Sequence, residues 1–230
     1  MLIIAIGVGF YAGIIVSVPN IKRVQSQYYD DMNLMDIKIN STLGLTDDDI
    51  TALKQLDNVK DVVGTYSENV LSGEDVIRVH AIEDNINKLE LIDGKLPEKE
   101  DECLADATYY KIGDKINIEE TQEENSETTN DNIKVQEFTV VGTVNSPLYT
   151  GTDYGSVNIG NGSLKSYIFI PKEDFNYEAY TEIYITANKE KSDDPYSKNY
   201  KNLINGVIEE INSIKDERQA ERYNQIVGDA

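Results

Sequence analysis

The chain has 230 residues, a formal charge of −21, 40% hydrophobic residues, one cysteine and no tryptophan. Its 42 acids against 21 bases leave no basic patch to displace counterions from phosphates, which excludes a nucleic-acid partner. The single thiol, Cys103, excludes a disulfide framework within the chain and, beside Leu104, reads as a small buried hydrophobe.

The segment Leu2–Val18 carries no charge, and its only polar side chains are Tyr11 and Ser17. A helix of that length spans about 26 Å, near the short end of what crosses a hydrocarbon core of about 30 Å. Three readings compete. A buried core helix is seldom so purely apolar. A signal peptide needs a basic start and a small-residue cleavage site, whereas here no base precedes Leu2 and Pro19-Asn20-Ile21 follows. A membrane helix fits best, with Gly7, Gly9 and Gly13 as close-packing positions. Lys22 and Arg23 favour a cytoplasmic flank, but long domains translocate regardless of such charge. A domain this acidic does not suit an anionic leaflet, so the bulk of the chain is expected on the extracellular side of the cell membrane. The start at Met1 and the lack of a second apolar span before Ala230 lead to the expectation of a piece cut from a longer protein.

Beyond Pro19 the helix is expected to continue through NIKRVQSQYYDDM. MDIKI then alternates as a strand, with Met35, Ile37 and Ile39 on one face. Thr46 caps a helix, with Asp49 at the capping-box position and Asp47–Asp49 favoured by the dipole. VKDVVGTYSENVL reads as one strand, and DVIRVHAIE, after a Ser72-Gly73 turn, as the next. LELIDGKLPEKEDE is turn-rich, ECLADATYYKI reads as a short helix, and DKINIEE as a strand. The segment 121–132 holds four acids and no base and reads as a solvated loop. VQEFTVVGTVNSPLY is a long strand, and 150–163 a Gly/Asn/Ser-rich loop. SYIFIPKEDF and TEIYITA are strands. The final helix, from Ser197, shows the stripe Tyr200, Leu203, Ile204, Val207, Ile211 and Ile214, which stops while helix formers continue.

Catalytic signatures are missing. The one histidine, His80, lies mid-strand without a Cys partner and is poor material for zinc. No GxSxG, P-loop or HExxH occurs, and carboxylates are too abundant for any pair to be specific. No catalytic residue, metal ligand or cofactor-binding residue is expected. The candidate contact with a partner is the loop 150–163 and its flank, through Tyr149, Tyr154, Asn158 and Asn161, with coverage of a sheet edge as the plainer reading.

The ordered blocks YYDDMNLMDIKI, STLGLTDDDI, LIDGKLPEKEDE, YKIGDKINI, FTVVGTVNSPLY, GSVNIGNGSL, YIFIPKEDF and YTEIYIT resemble the extracytoplasmic domains of FtsX-like ABC transporter permeases of Gram-positive bacteria, the group that includes MacB. The GKLP turn, IGDKI strand and FTVVGTV strand mark the MacB-like periplasmic core domain, and NLMDIK with STLGLTDDD is similar to its clostridial type. The resemblance covers about residues 2–215. It implies an α+β fold: one N-terminal transmembrane helix, then a mixed α/β porter-like domain with an inserted, mostly-β sabre-like subdomain. The implied division is 1–30 for the membrane helix and its extension, 31–88 and 165–215 for the porter-like part, 89–164 for the insert, and 216–230 for an exit helix or coiled coil. It also implies membrane lipid, a separate cytoplasmic ATPase subunit that holds the ATP, a permease dimer, and an extracellular partner or cargo. The implied function is coupling of ATP hydrolysis to export or mechanotransmission, without enzymatic activity in this chain. The alternative is a membrane-anchored extracellular sensor or ligand-binding domain.

Overall fold

The computed structural model describes residues 20–119, 132–189 and 195–228. The apolar segment Leu2–Val18 lies outside the described residues, as does the acidic segment up to residue 131. Residues 20–31 are helical (α1), followed by β1 (Ile37–Leu45), α2 (Asp47–Leu53), β2 (Val59–Thr65), β3 (Ser67–Ser72) and β4 (Asp75–Ala81). Next come β5 (Glu90–Gly94), β6 (Glu102–Asp106), β7 (Lys115–Asn117), β8 (Glu137–Asn145) and β9 (Leu164–Ile170). A 3₁₀ turn at Lys172–Asp174, β10 (Tyr180–Ala187) and α3 (Lys198–Gly228) complete the chain. Among the described residues no helix is long and apolar enough to cross a membrane.

The strands form two sheets. The smaller is antiparallel, in the order β1-β10-β2. The larger has seven strands in the order β3-β4-β9-β6-β8-β5, with β7 sharing the outer edge of β8. β4 pairs with β9 and β6 with β8 in parallel; the other pairs are antiparallel. Alternation of Ile37 and Ile39 turns one face of β1 toward a core shared with Leu45, Leu53, Val62, Ile183 and Ile185. Ile211 and Ile214 of α3 close that core from above, as the helix stripe predicts. The larger sheet has its own core around Val70, Ile77, Val79, Phe138, Val140 and Ile168, all fully buried.

Three local expectations give way to tertiary context. ECLAD forms a strand, β6, instead of a helix, because it sits mid-sheet between β9 and β8 with all five residues buried. The strand begun by MDIKI runs on through Leu45 as the second half of β1, which bulges: five residue steps from Asn40 to Leu45 match two steps of β10, from Glu182 to Tyr180. The run from Val59 to Leu71, read as one strand, is two strands in different sheets, with Tyr66 as the hinge.

The chain passes between the sheets at Tyr66 and again over residues 171–179, and Lys172 locks the two crossings together. Its Nζ donates to the Gly64 carbonyl and lies 3.2 Å from Glu83 Oε1. The same ammonium stands 5.1 Å from the Tyr180 ring centroid and 5.9 Å from that of Tyr66. Tyr66 stacks on Phe175 and Tyr177, and Thr181 Oγ1 accepts from Ser67 N at 2.8 Å. A Cβ at Gly64 would lie 2.5 Å from the Tyr180 ring, so only glycine lets strand and ring approach this closely. Replacing Lys172 with Met strands the Glu83 carboxylate and is expected to cost about 2 kcal/mol, the range of a hydrogen bond to a charged group. Urea denaturation followed by tyrosine fluorescence measures it; a loss under about 0.5 kcal/mol contradicts the role, being within the scatter of a surface substitution.

Candidate functional site

The small sheet is where both long helices are fastened. Two carboxylates do most of this. Asp36, just before β1, accepts from Ala187 N at 2.8 Å, Lys189 Nζ at 2.6 Å and the Tyr200 hydroxyl at 2.6 Å. Asp49, in the first turn of α2, accepts from the Thr46 backbone N–H at 2.8 Å and its hydroxyl at 3.0 Å through Oδ2. Its Oδ1 takes the Arg218 Nε at 2.8 Å. The cap of a short helix therefore doubles as the anchor of a distant one. Tyr200 and Arg218 are 18 residues apart on α3, about 27 Å of helix. Burial and then the Asp36 carboxylate hold the Tyr200 hydroxyl well above its ordinary range.

α1 joins the same platform. Tyr196 donates to Gln25 Oε1 at 3.0 Å, and Lys22 lies 4.7 Å over the Tyr196 ring. Lys88 N bonds the Met32 carbonyl at 2.8 Å, and Met35 N bonds Asn87 Oδ1 at 2.9 Å, which fixes the end of α1 to the loop after β4. Asn33 and Asn87 hold left-handed backbone, φ 48° and 53°, at this joint. Tyr196 meets Gln25 and Tyr200 meets Asp36, so α3 sets out in the direction α1 arrives. It then follows β1 to Leu43, whose carbonyl accepts from Arg222 Nε at 3.0 Å.

A second cluster surrounds the candidate contact loop. Tyr149 stacks on Tyr167 with centroids 4.4 Å apart and planes at 8°, and Tyr154 meets both rings at 5.0 and 5.6 Å. The Tyr149 hydroxyl lies 2.6 Å from His80 Nε2, and His80 stacks on Phe169. Arg78 Nε donates to Asn69 Oδ1 at 2.7 Å, on the strand neighbouring that of His80. Burial, with the Arg78 and Lys38 cations behind it, holds His80 down at about 3, a neutral imidazole. Burial, with Asp106 next, pushes Tyr154 up to about 12. Tyr149 and Tyr154 thus come together, half-buried, whereas Asn158 and Asn161 stand exposed on the loop. Asn161 Oδ1 accepts from Ser163 N at 3.0 Å, and a Ser156–Ser163 bridge closes the loop on itself.

Reaction chemistry finds little here. Cys103 is buried, and burial pushes its thiol up to about 12. Among the described residues no group of three or more His, Cys, Asp or Glu side chains is disposed to hold a metal ion. Sequence reasoning missed Asp36, Asp49, Lys172 and Arg218 as joints; the one available signal was the capping position of Asp49.

The described residues form an α+β domain with two helices fastened to its smaller sheet. The chain belongs to the family described as the MacB-like periplasmic core domain, which it matches over residues 1–202. No curated protein matches it. Similar solved structures include the extracellular domain of the noncanonic ABC-type transporter YknZ from Gram-positive bacteria, 16% identical, TM-score 0.38, over 65% of this chain and 76% of that one. Another is the periplasmic region of MacB from Actinobacillus actinomycetemcomitans, 13% identical, TM-score 0.35, over 75% of each chain. The assignment rests on the family match.

Two buried groups give opposite pH signatures. His80 titrates at about 3 when folded and 6.5 when unfolded, so the unfolded chain binds more protons between these values and stability falls as pH drops through that window. Asp174 is fully buried, and neither carboxylate oxygen has a hydrogen-bond partner among the described residues. Burial, then Glu173, raise it from 3.8 to about 6. Its contribution is complete below 3.8 and is lost as pH rises through about 6. Denaturation midpoints of His80→Gln are expected to fall less on acidification than those of wild type. Those of Asp174→Asn are expected to fall less between pH 4 and 6 on the way up. A variant profile parallel to wild type overturns the corresponding assignment.

Proposed function

We propose that this chain is the extracytoplasmic domain of an ABC transporter permease subunit, and that it couples cytoplasmic ATP hydrolysis to export or mechanotransmission outside the membrane. The observation that carries the reading is the fastening of α1 and α3 to one small sheet through Asp36, Asp49 and the Gln25–Tyr196 bond. The family match supports it. On this reading Leu2–Val18 spans the cell membrane, and the bulk of the chain lies on its extracellular side. The ATP sits on a separate cytoplasmic subunit, and two permeases work as a dimer. The domain performs no reaction of its own. Residues 89–164 act as an inserted sabre-like part on a porter-like part formed by 31–88 and 165–215. A displacement of the membrane helix reaches the small sheet through α1, leaves along α3, and reaches the large sheet through Lys172. Asn158 and Asn161 meet the extracellular partner or cargo, on the aromatic footing of Tyr149 and Tyr154.

A compliant joint placed between the apolar segment and the contacts of Lys22 and Gln25 with Tyr196 separates coupling from folding. Six glycines inserted after Ile21, in the full permease with its ATPase, are expected to leave the denaturation midpoint and ATP binding unchanged and to abolish export or the extracellular response. The same insert after Gly73, an exposed hairpin turn where an added Cβ meets nothing within 4 Å, is expected to leave all of these intact. Wild-type coupling by the Ile21 insert overturns the proposal and favours a passive extracellular binding domain.

A further inference from the structure

Between the bulged half of β1 and α3 lies a cleft of about 490 Å³, within the range of roughly 300–1,000 Å³ typical of small-molecule sites. Its floor is apolar: Ile39, Leu45 and Leu53 from the small-sheet core, and Ile211 and Ile214 from α3. Its rim is cationic in a chain of net charge −21: Lys38, Lys215, Arg218 and Arg222 line it, against Asp49 as the one acid of the lining. Two of these cations are committed. Lys38 pairs with Glu182 at 2.9 Å, and Arg218 with Asp49 and Glu221. Among the described residues Lys215 and Arg222 make no ion pair, and Arg222 bonds only a neutral carbonyl, that of Leu43.

The cleft is built rather than incidental. The bulge bows Ser41–Gly44 away from β10, and Gly44 holds it at φ 74°. A Cβ at Gly44 would lie 2.6 Å from that of Ala179, so glycine is needed for the bulge to close against the neighbouring loop. The same bulge leaves part of the β1 backbone free of the ladder with β10, facing the cleft.

We propose that this cleft binds an anionic amphiphile, a single acyl chain ending in a carboxylate, with the chain on the Ile39–Leu53–Ile214 floor and the carboxylate against Lys215 and Arg222. The apolar floor supplies burial of the chain, and the two unpaired cations supply charge-assisted hydrogen bonds that a neutral head group cannot accept as strongly. Because the cleft lies between the anchors Asp49–Arg218 and Leu43–Arg222, an occupied site would tighten the grip of α3 on the small sheet. The ligand site stands independently of the coupling reading given above.

The test uses the full chain in nanodiscs of neutral lipid and a diazirine-bearing dodecanoate as photoprobe, with cross-linked peptides located by mass spectrometry. Label is expected on residues 39–45 and 211–222, at least tenfold above the amide of the same acid. Charge reversal at exposed Lys215 and charge removal at half-buried Arg222, Lys215→Glu with Arg222→Gln, is expected to cut that label at least tenfold, with an unchanged circular dichroism spectrum. Inorganic phosphate at millimolar level is expected not to compete; competition would mean that the cleft takes the anion alone, and would overturn the acyl part of the proposal. Equal labelling by acid and amide in the wild-type chain overturns it without reference to any variant. So does label spread evenly over the domain, or label unaffected in a correctly folded double variant.

Discussion

Two sheets that exchange the chain twice must be held at both crossings, and here one lysine does so. Lys172 sits in the second crossing and reaches the Gly64 carbonyl and the Glu83 carboxylate beside the first. Its ammonium lies over Tyr180 and Tyr66, whose rings meet at a tilt in the seam between the sheets. An ammonium half-withdrawn from water needs all of these partners, because desolvation costs more than any one contact returns. The seam is therefore specified as a unit: the glycine at Gly64, the ring of Tyr180, the carboxylate of Glu83 and the lysine all depend on one another. Burial raises Glu83, and Thr65 and then Lys172 oppose that tendency.

The charge imbalance gives such cations unusual weight. With 42 acids and 21 bases, the surface repels itself, and the compact state is held against that field. Several of the bases stand at joints: Lys172 between the sheets, Lys189 at Asp36, Arg218 at Asp49, Lys38 at Glu182 and Arg78 across the β3–β4 hairpin at Asn69. Exposed pairs such as Lys95–Glu98 contribute little by comparison, since water screens them and long side chains must be immobilised to form them. The half-buried pairs also fix geometry, because Asp36 gathers donors from the end of β10 and from α3, and Asp49 from its own helix cap and from α3.

Local pattern made much of this fold legible. Alternation placed Ile37 and Ile39 on one face, the Thr46–Asp49 spacing placed the start of α2, and the apolar stripe placed α3 on the small sheet. What escaped was everything set by sequence-distant partners. A strand that changes sheets at Tyr66 has the same period on both sides, so the break leaves no trace in the pattern. ECLAD has helix formers and no alternation, because burial on both faces erases the period that would mark a strand. The three extra residues in the bulge of β1 are invisible without the register of β10. The joints were hidden for a different reason: among so many carboxylates, nothing local distinguishes Asp36 from Asp31. Of the candidate contact residues, composition drew attention to the loop, but only the coordinates show that Tyr149 and Tyr154 pack on Tyr167 while Asn158 and Asn161 face solvent.

The placement of the helices constrains how any motion would pass through this domain. α1 reaches the small sheet at the Asp36 end of β1, and α3 leaves it at the Leu43 end, having started in the same direction. A pull along α1 is thus in line with α3, and the two are joined by contacts at both ends of the sheet rather than through a single pivot. The ladder between them is antiparallel, with hydrogen bonds perpendicular to the strands. Sliding β1 along β10 would break several at once, besides the bonds of Asp36. Rotation of the small sheet against the large one is opposed instead by discrete contacts: the Lys172 partners, the Thr181–Ser67 bond, the rings stacked on Tyr66, and the bonds of Met32 and Met35 to the loop after β4. The path from α1 to α3 is thus tied by a strand ladder, whereas the two sheets are tied to each other at the seam around Tyr66 and at the end of α1.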